Sequence, residues 1–190
     1  MFDNDDLSSL RWDPVSAAVE IIDQTLLPHM LRWAHLDSLE AYCHAITQMQ
    51  VRGAPLIGIT AAFGLAHALA LDASDENMNA ACELLLATRP TAVNLRWALE
   101  QVRTEVVAVP EGRRAGVARE KAIALRAEDI AHCSRIGEHG LGVLMQHKRD
   151  GRPLNIMTHC NAGWLATIQW GTALAPVYKA VAAGVPVHVW

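Results

Sequence analysis

The residues best placed to do chemistry lie near the end of the chain, in the stretch 153–167. The mostly apolar run Leu154–Thr158 predicts a short buried strand, and a helix is predicted from Gly163 onward, so Cys160 falls on the turn between them. In open parallel sheets, ligands bind beyond the carboxyl ends of strands, where the next helix directs free N–H groups outward. A thiol at such a helix start ionises more readily than a thiol in apolar surroundings. The alternative is that Cys160 fills a gap in the core, because free cysteine is often buried.

A second candidate site precedes a long apolar segment. Arg52 and Gly53 come directly before a helix predicted over residues 56–71, and Pro55 suits its first turn. An arginine beside free helix N–H groups makes an anion site, and Gly53 and Ala54 let a ligand approach the backbone. The alternative is that Arg52 caps a neighbouring helix or pairs with a carboxylate.

The same arrangement recurs further along the chain. Arg89 is followed by Pro90, which cannot continue a helix, and by Thr91, which is predicted to cap a helix over residues 92–107. Arg89 therefore stands beside a helix start, as Arg52 does. Because the arrangement is repeated, the two guanidinium groups could converge on one phosphate.

Composition limits the class of protein. Of the 190 residues, 52% are hydrophobic and 19% are charged, which favours a buried core over disorder. The formal net charge is −4, with no basic stripe, so nucleic acid is not an expected partner. We expect no uninterrupted apolar run as long as the roughly 18 residues of a membrane span. The acidic start of the chain also lacks the basic region of a signal peptide. A cytoplasmic protein without a membrane partner is expected.

Metal and disulfide chemistry are not predicted. The cysteines form no C-x-x-C pair and are expected to be free thiols: Cys43, Cys82, Cys133 and Cys160. His132 and His139 share one face of a predicted helix, but no third ligand lies in register with them. The expected metal content is therefore none.

The first third of the chain predicts a small antiparallel sheet that leads into helices. Residues 10–12 and 18–24 are β-prone runs on either side of a turn at residues 13–16, and residues 31–35 add a third short strand. Asp37 or Ser38 then caps a helix with one apolar face.

Long helices fill the middle of the chain. A helix opens at Asp75, and a longer one is predicted over residues 111–148, where glycines at 137, 140 and 142 suggest close packing or a kink. The polar segment 148–153 is the predicted linker. The predicted domains are therefore a mostly helical N-terminal domain with short strands, residues 1–148, and the beginning of a C-terminal domain, residues 149–190.

The last segment predicts one βαβ unit of a parallel sheet. Residues 167–183 are predicted to continue as helix, broken at Pro176, and residues 185–190 predict a second strand. Two parallel strands of this kind need further strands and cover on both faces. More chain after Trp190, or a second polypeptide that supplies it, is therefore expected.

Three motifs together resemble methylthioribose-1-phosphate isomerase, and the resemblance spans nearly the whole chain. They begin with Val51-Arg52-Gly53-Ala54-Pro55, Thr88-Arg89-Pro90-Thr91-Ala92-Val93-Asn94-Leu95 and Thr158-His159-Cys160-Asn161-Ala162-Gly163. The same superfamily contains ribose-1,5-bisphosphate isomerases and the regulatory subunits of the eukaryotic translation-initiation exchange factor.

The resemblance implies an aldose–ketose isomerase that converts 5-methylthioribose 1-phosphate to 5-methylthioribulose 1-phosphate in methionine salvage, without metal or nucleotide cofactor. Carried over by motif, Arg52, Gly53, Ala54 and Arg89 bind the sugar phosphate, and Cys160 is catalytic. The implied fold is α/β: a small antiparallel sheet with a helical N-terminal domain, followed by the first βαβ unit of a Rossmann-like parallel sheet. Homodimers are implied as well.

This chain departs from the pattern of the family that it resembles. The family's catalytic aspartate, and an asparagine–lysine pair that grips the substrate, lie downstream of Trp190, so this polypeptide alone is expected to lack activity. Trp164 stands where many members carry a smaller residue, so a 5-deoxyribose-1-phosphate isomerase is an alternative. A non-catalytic regulatory module like the translation-factor relatives is the other alternative. Whether hydrogen moves as a proton or as a hydride stays open.

Overall fold

The structure is a computed structural model of the chain and describes residues 8–16 and 18–190. These residues form two compact units. The first unit is Leu10–Ala127, and the second is Glu128–Trp190 together with the two serines that precede the first strand. The division falls inside the longest helix. The domain boundary expected between residues 148 and 149 stays a prediction, because a compact unit need not fold independently.

The first unit opens with a three-stranded antiparallel sheet in the order β1–β2–β3: β1 Leu10–Asp13, β2 Ala18–Ile22 and β3 Trp33–Leu36. The turn between β1 and β2 is stabilised locally, because the Asp13 carboxylate accepts hydrogen bonds from the Val15 N–H and from the Ser16 hydroxyl. The predicted sheet and turn are confirmed. Helix α1, Leu39–Thr47, then begins after Ser38, one of the two predicted caps, whose hydroxyl accepts a hydrogen bond from the Ala41 N–H.

Helix α2, Ala54–Leu71, is the centre of the first unit. Its residues are apolar on nearly every side, and it packs against α1, α3 and α4. Its 18 residues are long and apolar enough to cross a membrane, so the expectation that no run approaches that length is wrong. In this fold 72% of the helix is buried inside the protein, which accounts for its apolar composition.

Helices α3, Asp75–Thr88, and α4, Val93–Val106, follow. The Ser74 hydroxyl caps α3 by accepting from the Asn77 N–H. The predicted Thr91 cap of α4 is wrong, since Ala92 occupies the cap position without a side-chain hydrogen bond. The Ala92 N–H donates instead to the Arg89 carbonyl at 2.9 Å, which closes a turn through residues 90 and 91.

Helix α5, Glu111–Gln146, contributes its first half to the first unit and its second half to the second unit. In the second unit it is followed by strand β4, Leu154–Ile156, helix α6, Ala175–Ala182, and strand β5, Val187–Val189. Strands β4 and β5 pair in parallel, with Leu154 opposite Val187. Leu154, Ala180 and Val185 form the core beneath them. The predicted α/β fold class, with a small antiparallel sheet, helices and a βαβ unit, is confirmed.

The segment between β4 and α6 differs from the prediction. Instead of a helix from Gly163 onward, it holds a single 3₁₀ turn, Trp164–Ala166, followed by irregular chain up to α6. Pro176 lies in the first turn of α6 and does not break a helix, which fits proline's fixed φ and missing N–H. The segment is irregular because tertiary hydrogen bonds hold it, as described for the candidate site.

Glycines on α5 allow α6 to pack closely against it. A Cβ added at Gly140 would lie 2.2 Å from Pro176 Cγ, and one at Gly137 would lie 3.1 Å from the Ala175 carbonyl oxygen. Helix α5 runs without interruption through this region, and Gly137 and Gly140 are sites of close packing, as predicted. The alternative of a kink stays a prediction. A Cβ at Gly142, two residues further along the helix, would meet nothing within 4 Å.

This contrast gives a matched pair of variants. We expect Gly140→Ala to lower the free energy of unfolding by about 1–3 kcal/mol, because the rigid proline ring must shift to admit the methyl group. We expect Gly142→Ala to raise it by up to about 1 kcal/mol, because alanine favours a helix and no neighbour opposes it. Urea unfolding followed by circular dichroism measures both changes, and equal effects would contradict the packing argument.

Candidate functional site

The first candidate feature is the start of α2. Gly53 is its N-cap, with φ 97°, a backbone conformation that glycine adopts without strain. No side chain caps this helix start, and its first turn carries no acidic residue. Arg52 is exposed directly before it, and Ala54 is exposed at its first position. The free N–H groups and positive dipole end of α2 therefore lie next to a cation, as an anion site requires.

The start of α4 has the same character. Its N-cap, Ala92, makes no side-chain hydrogen bond, and its first turn has no acidic residue. Arg89 is exposed and forms the C-cap of α3, three residues before Ala92. The turn that links the two helices thus places an arginine near a second uncapped helix start.

Helices α2 and α4 cross near their amino-terminal ends. A Cβ added at Gly58 would lie 2.8 Å from the Asn94 carbonyl oxygen and 3.4 Å from Ala98 Cβ. Gly58 is in the second turn of α2, and Asn94 is in the first turn of α4. The two uncapped helix starts are therefore close neighbours. Sequence reasoning missed the role of Gly58, although a glycine inside an apolar helix is a recognised signal of close packing.

Cys160 lies in the second unit, on the loop that follows β4. It is exposed and has φ 68°, in the left-handed region that residues other than glycine rarely adopt. Cys160 therefore does not fill a core gap. The α-helix expected to begin beside its thiol is replaced by the three-residue 3₁₀ turn, so the predicted helix start next to Cys160 is wrong.

The loop that carries Cys160 is folded back on itself. The Ala162 carbonyl oxygen accepts hydrogen bonds from the Thr172 and Leu174 N–H groups at 3.0 and 3.3 Å. Gly171, at φ 73°, packs so closely that an added Cβ would lie 2.5 Å from the Ala162 oxygen. The Thr167 hydroxyl accepts from the Gly171 N–H at 3.1 Å and donates to the Gln169 carbonyl at 2.8 Å. These contacts fix the backbone two residues after Cys160.

An aspartate on α5 anchors this loop. The Asp129 carboxylate accepts a hydrogen bond of 2.8 Å from the Ile168 N–H, and the Cys133 sulfur lies 3.9 Å from its other oxygen. Burial raises the pKa of Asp129, while the Ile168 N–H and the charge of His132 act in the opposite direction. Burial and the neighbouring Asp129 charge raise the pKa of Cys133 to about 12, so this thiol stays protonated at neutral pH.

Because the pKa of Asp129 is higher in the folded chain than its ordinary value of 3.8, the folded state binds the proton more tightly than the unfolded state. The free energy of unfolding should therefore fall as pH rises above about 4 through the folded pKa, once other groups are subtracted. The Asp129→Asn variant lacks this component. We expect the free energy of unfolding of the wild type minus that of the variant, measured by urea titration, to decrease with rising pH and then level off. A difference independent of pH, or one that grows with pH, would contradict the assignment.

The structure therefore brings two of the predicted site features together within one unit. The helix starts next to Arg52 and Arg89 are neighbours in the first unit, while Cys160 belongs to the second unit. That all three side chains meet on one ligand stays a prediction. In the described part of the chain, no group of three or more histidine, cysteine, aspartate or glutamate side chains could hold a metal ion.

Comparison with known proteins identifies the family. Residues 50–190 match the Initiation factor 2 subunit family, and the chain belongs to that family. Within it, the chain resembles proteins named methylthioribose-1-phosphate isomerase. It is 56% identical to the one from Rhodospirillum rubrum over 180 residues, which cover 91% of this chain and 46% of that protein. It is 55% identical to the one from Dechloromonas aromatica over 183 residues, which cover 96% of this chain and 51% of that protein.

Solved structures extend the likeness to the fold. The crystal structure of 5-methylthioribose 1-phosphate isomerase from Pyrococcus horikoshii superposes with a TM-score of 0.84 at 32% identity, covering 96% of this chain and 51% of that one. The translation initiation factor eIF-2B subunit delta from A. fulgidus superposes with a TM-score of 0.81 at 33% identity, covering 96% of this chain and 53% of that one. The chain spans about half the length of the relatives that it matches.

Proposed function

We propose that this chain is part of an aldose–ketose isomerase that converts 5-methylthioribose 1-phosphate to 5-methylthioribulose 1-phosphate in methionine salvage. The observation that carries the proposal is the pair of neighbouring uncapped helix starts, each with an exposed arginine beside it. Such a pair suits the dianionic phosphate of a sugar phosphate. The names of the relatives supply the particular sugar.

Each proposed residue has a distinct task. Arg52 and Arg89 pair with the phosphate, and the backbone at Gly53 and Ala54 approaches it closely, since neither residue has a side chain beyond Cβ. The phosphate on C1 keeps the sugar ring closed, so an acid must protonate the ring oxygen before hydrogen moves from C2 to C1. Cys160 is proposed to assist that transfer. The reaction is an internal redox exchange between two carbons, so it needs no external oxidant or reductant.

The assembly is also proposed from the resemblance. We propose a cytoplasmic homodimer in which β4 and β5 belong to a larger Rossmann-like sheet. The large apolar residues near the ends of these strands support the larger sheet, since Met157 is 85% exposed and Trp190 is 70% exposed. A second polypeptide that completes the sheet is the alternative to further chain.

A non-catalytic regulatory module is the second candidate function. It is favoured by the superposition on the eIF-2B subunit, which is nearly as close as that on the isomerase. Cys160 argues for the isomerase, because an exposed thiol at a strained backbone position has no evident use in a scaffold.

An isomerase assay separates the two candidates. We expect the longer protein that contains these residues to form 5-methylthioribulose 1-phosphate, with 5-deoxyribose 1-phosphate as the comparison substrate. Binding of both sugars without turnover would favour the regulatory module, and faster turnover of the deoxy sugar would reassign the substrate. The same assay on residues 1–190 tests the prediction that this chain alone is inactive.

A further inference from the structure

A cavity of about 90 Å³ lies within the first unit, between the sheet, α1, α2 and the first half of α5. Half of the residues in its wall carry aromatic rings. Trp12 and Phe63 stack with ring centroids 5.5 Å apart, and the Tyr42 and His67 rings are tilted at 5.8 Å. An apolar cavity of about 150 Å³ holds a benzene molecule, so this smaller cavity holds only part of a six-membered ring, and the rest of such a ring lies in its open side.

Tyr42 brings an unused polar group to this cavity. Only 2% of the residue is exposed, yet its hydroxyl makes no hydrogen bond to any residue that the structure describes. The hydroxyl oxygen is not fully enclosed, since the one fully buried unpaired side-chain atom among the described residues is Arg114 Nε. Tyr42 is one of the residues that line the cavity. Burial raises the pKa of Tyr42, and the group is therefore a neutral O–H donor at any physiological pH.

Arg119 supplies the charge. It lines the same cavity and forms no ion pair with the described residues, in contrast to its neighbour Lys121, which pairs with Glu105 at 2.8 Å. No aspartate or glutamate is among the described residues that line the cavity. Because a tyrosine O–H and a guanidinium both donate, the group that satisfies them is an acceptor. The Arg119 guanidinium favours an anion, while the charge of Asp37, which acts on Tyr42 from outside the lining of the cavity, opposes one.

We propose that this cavity binds a small carboxylic acid with a single ring-sized apolar body, held by Tyr42 and Arg119. The apolar body lies among the aromatic side chains, and the carboxylate accepts from the two donors. This site is separate from the proposed phosphate site. His67 lies thirteen residues after Ala54 on α2, which places it about 20 Å along the helix axis from the Gly53 end. The proposal therefore holds whether or not the protein is an isomerase.

Fluorine NMR on the whole chain tests the proposal, with 4-fluorobenzoate as the probe and the neutral 4-fluorobenzamide as its isostere. We expect saturable binding of the acid, with a Kd roughly in the high-micromolar to millimolar range for so small a ligand. The amide should bind at least about tenfold more weakly, because it lacks the charge that Arg119 pairs with. Arg119→Gln should remove that difference, and Tyr42→Phe should weaken the acid several-fold.

A steric variant shows where the probe binds. Ala70 lines the cavity and is exposed on α2, so Ala70→Leu should block binding while the chain stays folded. Ala87 is also exposed, on α3, and is not among the residues that line the cavity, so Ala87→Leu should bind as the wild type does. The proposal is overturned if no saturable binding is found, if the acid and the amide bind equally, or if Ala70→Leu retains the wild-type affinity.

Discussion

Replacing Cys160 by serine in the longer protein should lower kcat for the isomerisation by at least about 100-fold and leave substrate affinity within about twofold. Serine is close to cysteine in size and is strained to a similar degree at φ 68°, so the loop should keep its shape. The hydroxyl is a far weaker acid than the thiol and is less polarisable, so it performs poorly in proton transfer or in stabilising the transition state. A large loss in kcat with an intact loop would therefore report on chemistry.

Cys43 provides the control for this experiment. It lies in the first unit on α1, is only partly buried and has no proposed role, so Cys43→Ser should retain wild-type turnover. Thermal unfolding of both variants checks that the folds are equally stable. Unchanged kcat in Cys160→Ser would remove Cys160 from the mechanism and would favour the regulatory module.

Local sequence patterns predicted the structure correctly where interactions between residues close in sequence determine it. The Ser38 cap, the turn at Asp13 and the apolar helix α2 each depend on residues within a few positions, and all three are found as predicted. Of the three glycines in α5 that predicted close packing or a kink, Gly137 and Gly140 are sites of close packing, and Gly142 is not. In each case the physical cause, such as a hydroxyl acceptor or a missing side chain, is visible in a short window of sequence.

The loop after β4 could not be predicted in this way. Its composition between Gly163 and Leu174 is compatible with helix, but the chain follows the Asp129–Ile168 hydrogen bond and the contact of Gly171 with Ala162 instead. The Asp129–Ile168 bond joins residues 39 positions apart, and no local pattern shows it. The position of the Cys160 thiol thus depends on long-range contacts that are visible only in the tertiary structure.

The approach of α2 to α4 is a related case. Sequence motifs placed Arg52 and Arg89 beside helix starts, but they did not show that the two starts are neighbours. That relation depends on Gly58, whose missing side chain admits the Asn94 carbonyl. A glycine inside an apolar helix indicates close packing but does not identify the element that packs against it. The proximity of the two helix starts, on which a shared anion site depends, is therefore visible only in the three-dimensional structure.

That argument predicts the behaviour of the two arginines. Arg52→Ala and Arg89→Ala should each weaken binding of 5-methylthioribose 1-phosphate to the longer protein by roughly 10- to 150-fold, the range for losing a charge-assisted hydrogen bond. Isothermal titration calorimetry measures both affinities. Arg103 is exposed in the last turn of α4, at the opposite end of the helix from the proposed site, so Arg103→Ala should bind as the wild type does apart from a small general charge effect.

The double variant tests whether both guanidinium groups hold the same phosphate. If they do, the two losses should not simply add, and the coupling should exceed about 0.5 kcal/mol. Independent sites would give losses that add within that margin. A wild-type affinity in Arg89→Ala would show that the turn before α4 takes no part in binding. It would leave Arg52 and the start of α2 as the whole of the anion site, and the neighbouring helix starts would then be a feature of packing.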